Sequence, residues 1–189
     1  MLNATFTQRL QSLSAHRSFS LVFPLVGSLF LALMSQLAVY LPYSPIPITM
    51  QTLALFLMAG TMGSRHATNS VVVYLFEGTC GLPVFAGAAA NPLWMMSPKA
   101  GFLIGFVFAV WIIGKLLEKQ SEWKLLTLLS VLVFGQLAIY AIGAVWLSLF
   151  IGFSKAVLFG VLPFLTGAAL KIGAAAAILK GFHSLVKNS

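Results

Sequence analysis

Between Ser20 and Leu179 this chain carries only ten charged residues in 160, most of them at the breaks between long apolar runs. Charged residues make up 7% of the sequence and hydrophobic ones 60%. A soluble domain clothes its surface with about 25% charged residues. A chain this poor in charge must turn most of its outer surface towards something apolar, and its mean hydropathy of +1.00 points the same way. The apolar stretches fall into six runs, at 20–41, 49–62, 67–82, 99–117, 125–150 and 156–179. A membrane crossing takes about 20 residues as a helix. The reading is therefore all-α: one polytopic membrane domain over 1–189 with six transmembrane helices and a structured loop between helices 3 and 4.

The breaks between runs fit this reading. Pro42, Pro45 and Pro47 forbid a continuous helix after the first run. Gly63-Ser64-Arg65-His66 predicts a polar turn, and residues 83–98, rich in Gly, Ala and Pro, predict a long loop. Irregular backbone at membrane depth is tolerated where it lines a cavity or is buried in protein. The first run is longer than the roughly 7–15 apolar residues of a signal peptide and leads into the proline-rich loop, so it reads as a retained span.

The net charge of +8 does not mark a nucleic-acid surface, because the basic residues are scattered singly. They act instead as topology signals. With the N-terminus inside, Arg9, Arg17, Arg65, Lys115, Lys119, Lys124, Lys180 and Lys187 fall inside, and Lys99 and Lys155 outside. The positive-inside rule then puts both termini in the cytoplasm.

Several chemistries lack residues to carry them. There is no glycine-rich loop with Lys-Ser/Thr for ATP, no His/Cys grouping at metal spacing, and no evident Ser, His and acid arrangement. The chain reads as a carrier that uses no cofactor, rather than an enzyme. Cys80 is alone, so no internal disulfide forms, and it reads as a small packed hydrophobe.

Polar residues placed where hydrocarbon should be carry the functional signal, since ionisable groups within a span are costly and usually face a cavity or partner. Lys171, in the sixth run, is either a cation awaiting an anionic substrate group or a lysine snorkelling to the headgroups; its depth in the run favours the first. Glu77, in the third run, is a hydrogen-bond acceptor for ligand N–H groups, a partner for Lys171, or a protonated or interfacial carboxylate. Gln51, Thr52 and Asn91 suit a neutral polar ligand head, and Tyr43, Tyr74, Phe85 and Trp94 suit an apolar ring or a membrane interface. Ser28, Ala32 and Ser35, spaced by four and three, form a small-residue face for another helix, within this chain or outside it.

Four stretches then bring a resemblance. Pro45-Ile46-Pro47-Ile48-Thr49-Met50-Gln51-Thr52, Glu77-Gly78-Thr79-Cys80-Gly81-Leu82-Pro83-Val84-Phe85-Ala86-Gly87 and Gly101-Phe102-Leu103-Ile104-Gly105-Phe106, with Gly160-Val161-Leu162-Pro163-Phe164-Leu165 further on, resemble the biotin-transporter family BioY, the substrate-binding S component of energy-coupling factor transporters. The resemblance runs from about residue 20 to the end. It implies a multi-pass protein of the cell membrane that binds biotin from outside. It also implies a membrane partner, the T component, meeting the face of Ser28, Ala32 and Ser35, and two ATPase subunits. On this reading Glu77, Gln51 and Asn91 serve the ureido end of biotin, the four aromatics cover its ring, and Lys171 and Lys99 are the candidate cations. The chain departs from the family where a Gly-Asp-x-x-Lys pattern becomes Gly167-Ala168-Ala169-Leu170-Lys171, and where Gly-Pro-Thr-Gly-Gly becomes Ser97-Pro98-Lys99-Ala100-Gly101. Two other readings keep the architecture: a carrier for another ring-plus-carboxylate nutrient, and a membrane scaffold without a substrate.

Overall fold

The structure is a computed structural model that describes residues 17–120 and 122–188, with side chains from 22 to 185. Arg9 and the side chains of Arg17 and Lys187 lie outside what it describes. The chain forms α1 (Arg17–Gln36), a short antiparallel hairpin of β1 (Ala38–Val39) and β2 (Ile48–Thr49), and α2 (Gln51–Thr79). After a long loop come α3 (Ala100–Glu118), α4 (Leu125–Ile151), the short α5 (Phe153–Gly160) and α6 (Leu165–Asn188).

By length and composition three stretches are fit to cross a membrane: Ala100–Glu118, Leu125–Ile151 and Phe153–Leu185, the last running through α5 and α6. Val22–Gln36 is a shorter apolar helix. The second and third of the six expected runs join in one element, α2, broken at Gly63, whose φ of 75° and ψ of 172° are not helical. Only glycine holds such a φ without strain. The predicted turn there is thus a sharp bend between two arms, 51–62 and 64–79. The run expected at 156–179 is also interrupted. α5 ends at Gly160, a 3-10 turn at Leu162–Phe164 carries Pro163, and α6 then continues past the expected end. Proline lacks the N–H that would continue the helix through this point.

α1 packs on α2, α2 on α3, and α3 on α4, while α6 closes against both α2 and α4. The interior is sealed by Leu31, Leu55, Phe56, Ile113, Leu132 and Leu179, all fully buried. α3 lies very close to the α2 bend: a Cβ on Gly114 would collide with the backbone of Ser64. At this end Ser64 N donates to Glu118 Oε1 (2.7 Å), Lys115 pairs with Glu118 (3.5 Å), and the Trp123 and His183 rings stack at 4.7 Å. His66 is buried beside the bend, 5.3 Å from the Phe23 ring.

The other end is built by the hairpin and the long loop. Ala38 faces Thr49 and Val39 faces Ile48 in the ladder. Ser44 Oγ donates to Phe159 O (2.8 Å), which ties the hairpin to α5. The loop is ordered by α1. Ser35 Oγ donates to Val84 O (2.7 Å), Gln36 Nε2 donates to Phe85 O (3.2 Å), and Gln36 Oε1 accepts from Ala88 N (2.7 Å). Cys80 is exposed at the cap of α2, not packed inside as its apolar surroundings suggested.

Candidate functional site

Between the hairpin, α2, α3, α4 and α6 lie two adjoining cavities of about 450 and 420 Å³, counting their openings to solvent. Ile46, Pro47, Thr49, Phe102 and Phe106 line both, so they are two lobes with a common wall. Phe102 and Phe106 are one helical turn apart on α3 and therefore share a face. The rigid Ile46-Pro47 segment lies opposite, held by the bond between Ser44 Oγ and Ile46 O (3.0 Å).

The first lobe is completed by Thr52, Gln136, Ile139, Tyr140, Phe164, Ala168 and Lys171. Lys171 lies about two turns into α6, where its charge would meet hydrocarbon if it faced outward. It reaches in instead, and its Nζ donates to the backbone carbonyl of Thr49 (2.6 Å). Because Thr49 lines both lobes, the ammonium sits at their seam. Gln136 and Tyr140, also one turn apart, are 5% and 8% exposed, and neither Gln136 Oε1 nor the Tyr140 hydroxyl has a hydrogen-bond partner among the described residues.

The second lobe adds Gln51, Tyr74, Phe85, Ala86, Lys99 and Leu103. Its polar wall is already bonded within the chain: Thr49 Oγ1 donates to Gln51 Oε1 (3.1 Å), and Gln51 Nε2 donates to the Tyr74 hydroxyl (2.7 Å). Phe85 meets Tyr74 edge-on at 5.5 Å, and Trp94 stands behind it at 6.2 Å. Trp94 is buried, with its indole N–H donating to Thr79 Oγ1 (2.9 Å).

Of the residues singled out in the sequence, Gln51, Thr52, Tyr74, Phe85, Lys99 and Lys171 thus line the two lobes, with Trp94 backing them. The others lie elsewhere. Glu77 accepts from Ser28 Oγ (2.9 Å), fastening α2 to α1, and does not pair with Lys171. Asn91 caps its own loop through Leu93 N (3.1 Å). Tyr43 is 57% exposed and packs beside Phe159. Ser28 and Ser35 are buried and bonded within the chain, and Ala32 is partly buried against the core. The small-residue face of α1 therefore turns inward onto α2, and Leu25, Leu29 and Leu33 point outward.

Sequence reasoning passed over Thr49, Phe102, Phe106, Gln136 and Tyr140. Gln136 was within reach of the test that found Lys171, a polar group in the middle of an apolar run. The phenylalanines were not, since nothing in a uniformly apolar helix marks which side faces a cavity.

The BioY family pattern matches residues 7–188. The chain belongs to the BioY family. A probable biotin transporter BioY from Pyrococcus horikoshii is 34% identical over 152 residues, covering 80% of this chain and 90% of that one. The biotin transporter BioY of Thermotoga maritima is 32% identical, covering 73% and 81%. Among solved structures, the S-component for biotin from an ECF-type ABC transporter matches with a TM-score of 0.79 at 24% identity, over 90% of this chain and 93% of that one. The fold is thus that of a membrane S component, and family membership makes the chain a transport protein, not an enzyme.

Proposed function

We propose that the chain captures biotin at the outer face of the plasma membrane and delivers it inward as the substrate-binding subunit of an ATP-driven transporter. The observation that carries this reading is the Lys171 ammonium, held at the seam of an otherwise largely apolar cavity by one backbone carbonyl. A cation placed there has donors to spare, because an ammonium carries three N–H groups. Biotin supplies a carboxylate for it and an apolar ring for Phe102 and Phe106. Gln51, with its amide tied to Tyr74, shapes the second lobe, and Lys99 provides a further positive charge on that wall.

The crossings are six on this proposal: α1, the two arms of α2, α3, α4, and α5 with α6. Arg65, Lys115, Lys119, Lys124 and Lys180 belong to the end of the α2 bend, and Lys99 and Lys155 to the end with the hairpin and loop. By the positive-inside rule the cavity end faces out and both termini face the cytoplasm. The T component docks on the outward side of α1; Ser28, Ala32 and Ser35 let α1 lie close on α2 behind that side. Two ATPase subunits supply the energy.

Titration of the purified chain with biotin tests the reading. Saturable binding is expected, weakened about 100-fold or more in Lys171→Ala, in line with the cost of removing one partner of a buried charge pair. Absence of saturable binding by the unaltered chain overturns it.

A further inference from the structure

Two polar groups in the cavity have no role in the reading so far. Gln136 Oε1 and the Tyr140 hydroxyl are buried on α4 and lack hydrogen-bond partners among the described residues. They lie one turn apart, and the Tyr140 hydroxyl makes at most a weak contact with the Gln136 side chain, short of full hydrogen-bond geometry. Both line the lobe that also holds Lys171. Leaving a buried polar atom unmade costs about as much as losing a hydrogen bond, and membrane helices contain few such atoms without a reason.

The rest of the cavity's polar wall contrasts with this pair. Gln51, Tyr74 and Thr49 satisfy one another, and Lys171 is bonded to Thr49 O. Among the described residues that line the cavity, only Gln136 and Tyr140, both on α4, carry a buried polar atom without a hydrogen-bond partner. A carboxylate, which only accepts, is a poor match for that pair, since it would leave the Gln136 amide oxygen without a donor. A group presenting N–H and C=O side by side matches it: the amide oxygen accepts from the N–H, and the hydroxyl donates to the C=O.

Resting on the proposed biotin uptake, we infer that Gln136 and Tyr140 form the subsite that reads the cyclic urea of the ligand, with its carboxylate directed to Lys171 at the seam. The pair sets specificity for a neutral donor–acceptor head, and Ala168, on the facing helix, adds no charge to compete with it.

Gln136→Leu and Tyr140→Phe test this in the purified full chain. Three probes are titrated: biotin, its methyl ester, which lacks the charge, and desthiobiotin, which keeps the cyclic urea. Each variant is expected to weaken all three by a similar factor, about tenfold or more, as a lost buried hydrogen bond does. Lys171→Ala is expected to weaken biotin and desthiobiotin but hardly the ester. Without ligand, Gln136→Leu is expected to melt no lower than the unaltered chain, because it removes an unsatisfied buried group. Unchanged biotin affinity in both variants overturns the inference, as does a loss seen with biotin but not with its ester. A loss of affinity accompanied by a lower ligand-free Tm in both variants also overturns it, since that marks a packing role. If the unaltered chain binds none of the three probes, the biotin reading itself fails and takes this subsite with it.

Discussion

The two ends of the molecule use their polar groups differently. At the bend of α2, Ser64 N, Glu118 and Lys115 are bonded to one another and Gly114 lets two backbones touch. At the hairpin end, the cavity keeps Gln136 Oε1 and the Tyr140 hydroxyl unbonded, and Lys171 leans on a single carbonyl. The first arrangement ties helices together, although His66 Nδ1, Thr68 Oγ1 and His183 Nε2 on the same side also lack hydrogen-bond partners among the described residues. The second holds its unbonded groups in reserve on residues that line a cavity, which is what a binding site requires. Substitutions at the bend should therefore lower stability and spare affinity, and substitutions in the cavity should do the reverse.

The largest separation is expected at Lys171. Lys171→Ala should cost about 3 kcal/mol of biotin binding, the middle of the range for stripping one partner from a buried charge contact. The ligand-free Tm should hold or rise, because a costly charge has left an apolar helix. Binding titration and thermal melting on the same preparation read both. A lower Tm with unchanged affinity would make Lys171 a structural tie between α6 and the hairpin. Next is Gly114→Ala. Its new Cβ would meet the Ser64 backbone, which cannot rotate away, so α3 and the α2 bend must part. Overpacking of this kind costs about 1–3 kcal/mol. The expected result is a clear drop in Tm with biotin affinity kept within a factor of about two, a difference small against the tenfold per 1.4 kcal/mol of binding arithmetic.

Glu118→Ala should be milder. It leaves Ser64 N without its acceptor at the bend and removes the Lys115 pair, which is half-exposed and so adds little. A loss of about 1 kcal/mol of stability is expected from the hydrogen bond, again with affinity unchanged. Loss of binding in this variant would mean that the two ends are coupled through α2 and α3, and the contrast between joint and site would no longer hold.

What could be read from the sequence follows the same division. Long apolar runs located α3 and α4 to within a residue or two, at Ala100–Glu118 and Leu125–Ile151, because the demand for internally bonded backbone leaves a helix little choice. The prolines before Ile48 marked the hairpin region, and Gly63 the bend. The break at Gly160 and Pro163 was legible in principle, but the apolar run carried straight across it. The site was harder. Lys171 announced itself by charge, and Gln51, Thr52, Tyr74 and Phe85 came in with the motifs around them. Glu77 carried the same signal as Lys171 yet serves as a tie to Ser28, because which neighbour meets a buried acid depends on helix rotation. Gln136 and Tyr140 were hidden for that reason too: α4 is apolar on all sides, so its sequence does not say which face looks into the cavity.

Asn91 gives the smallest and most pointed test. Its sequence context suggested an amide for the ureido end of biotin, but its Oδ1 accepts from Leu93 N two residues on, the local bond that favours asparagine in turns. It belongs to neither lobe. Asn91→Ala should therefore leave biotin affinity unaltered and shift stability by no more than about 0.5 kcal/mol, the usual range for a surface change. Gln51→Ala, by contrast, removes the link between Thr49 and Tyr74 and should loosen the wall of the second lobe. If Asn91→Ala instead weakened biotin tenfold, the long loop would have to fold over the ligand when it binds. The reserve of polar groups would then extend beyond the cavity seen here, to a segment that is bonded to itself until biotin arrives.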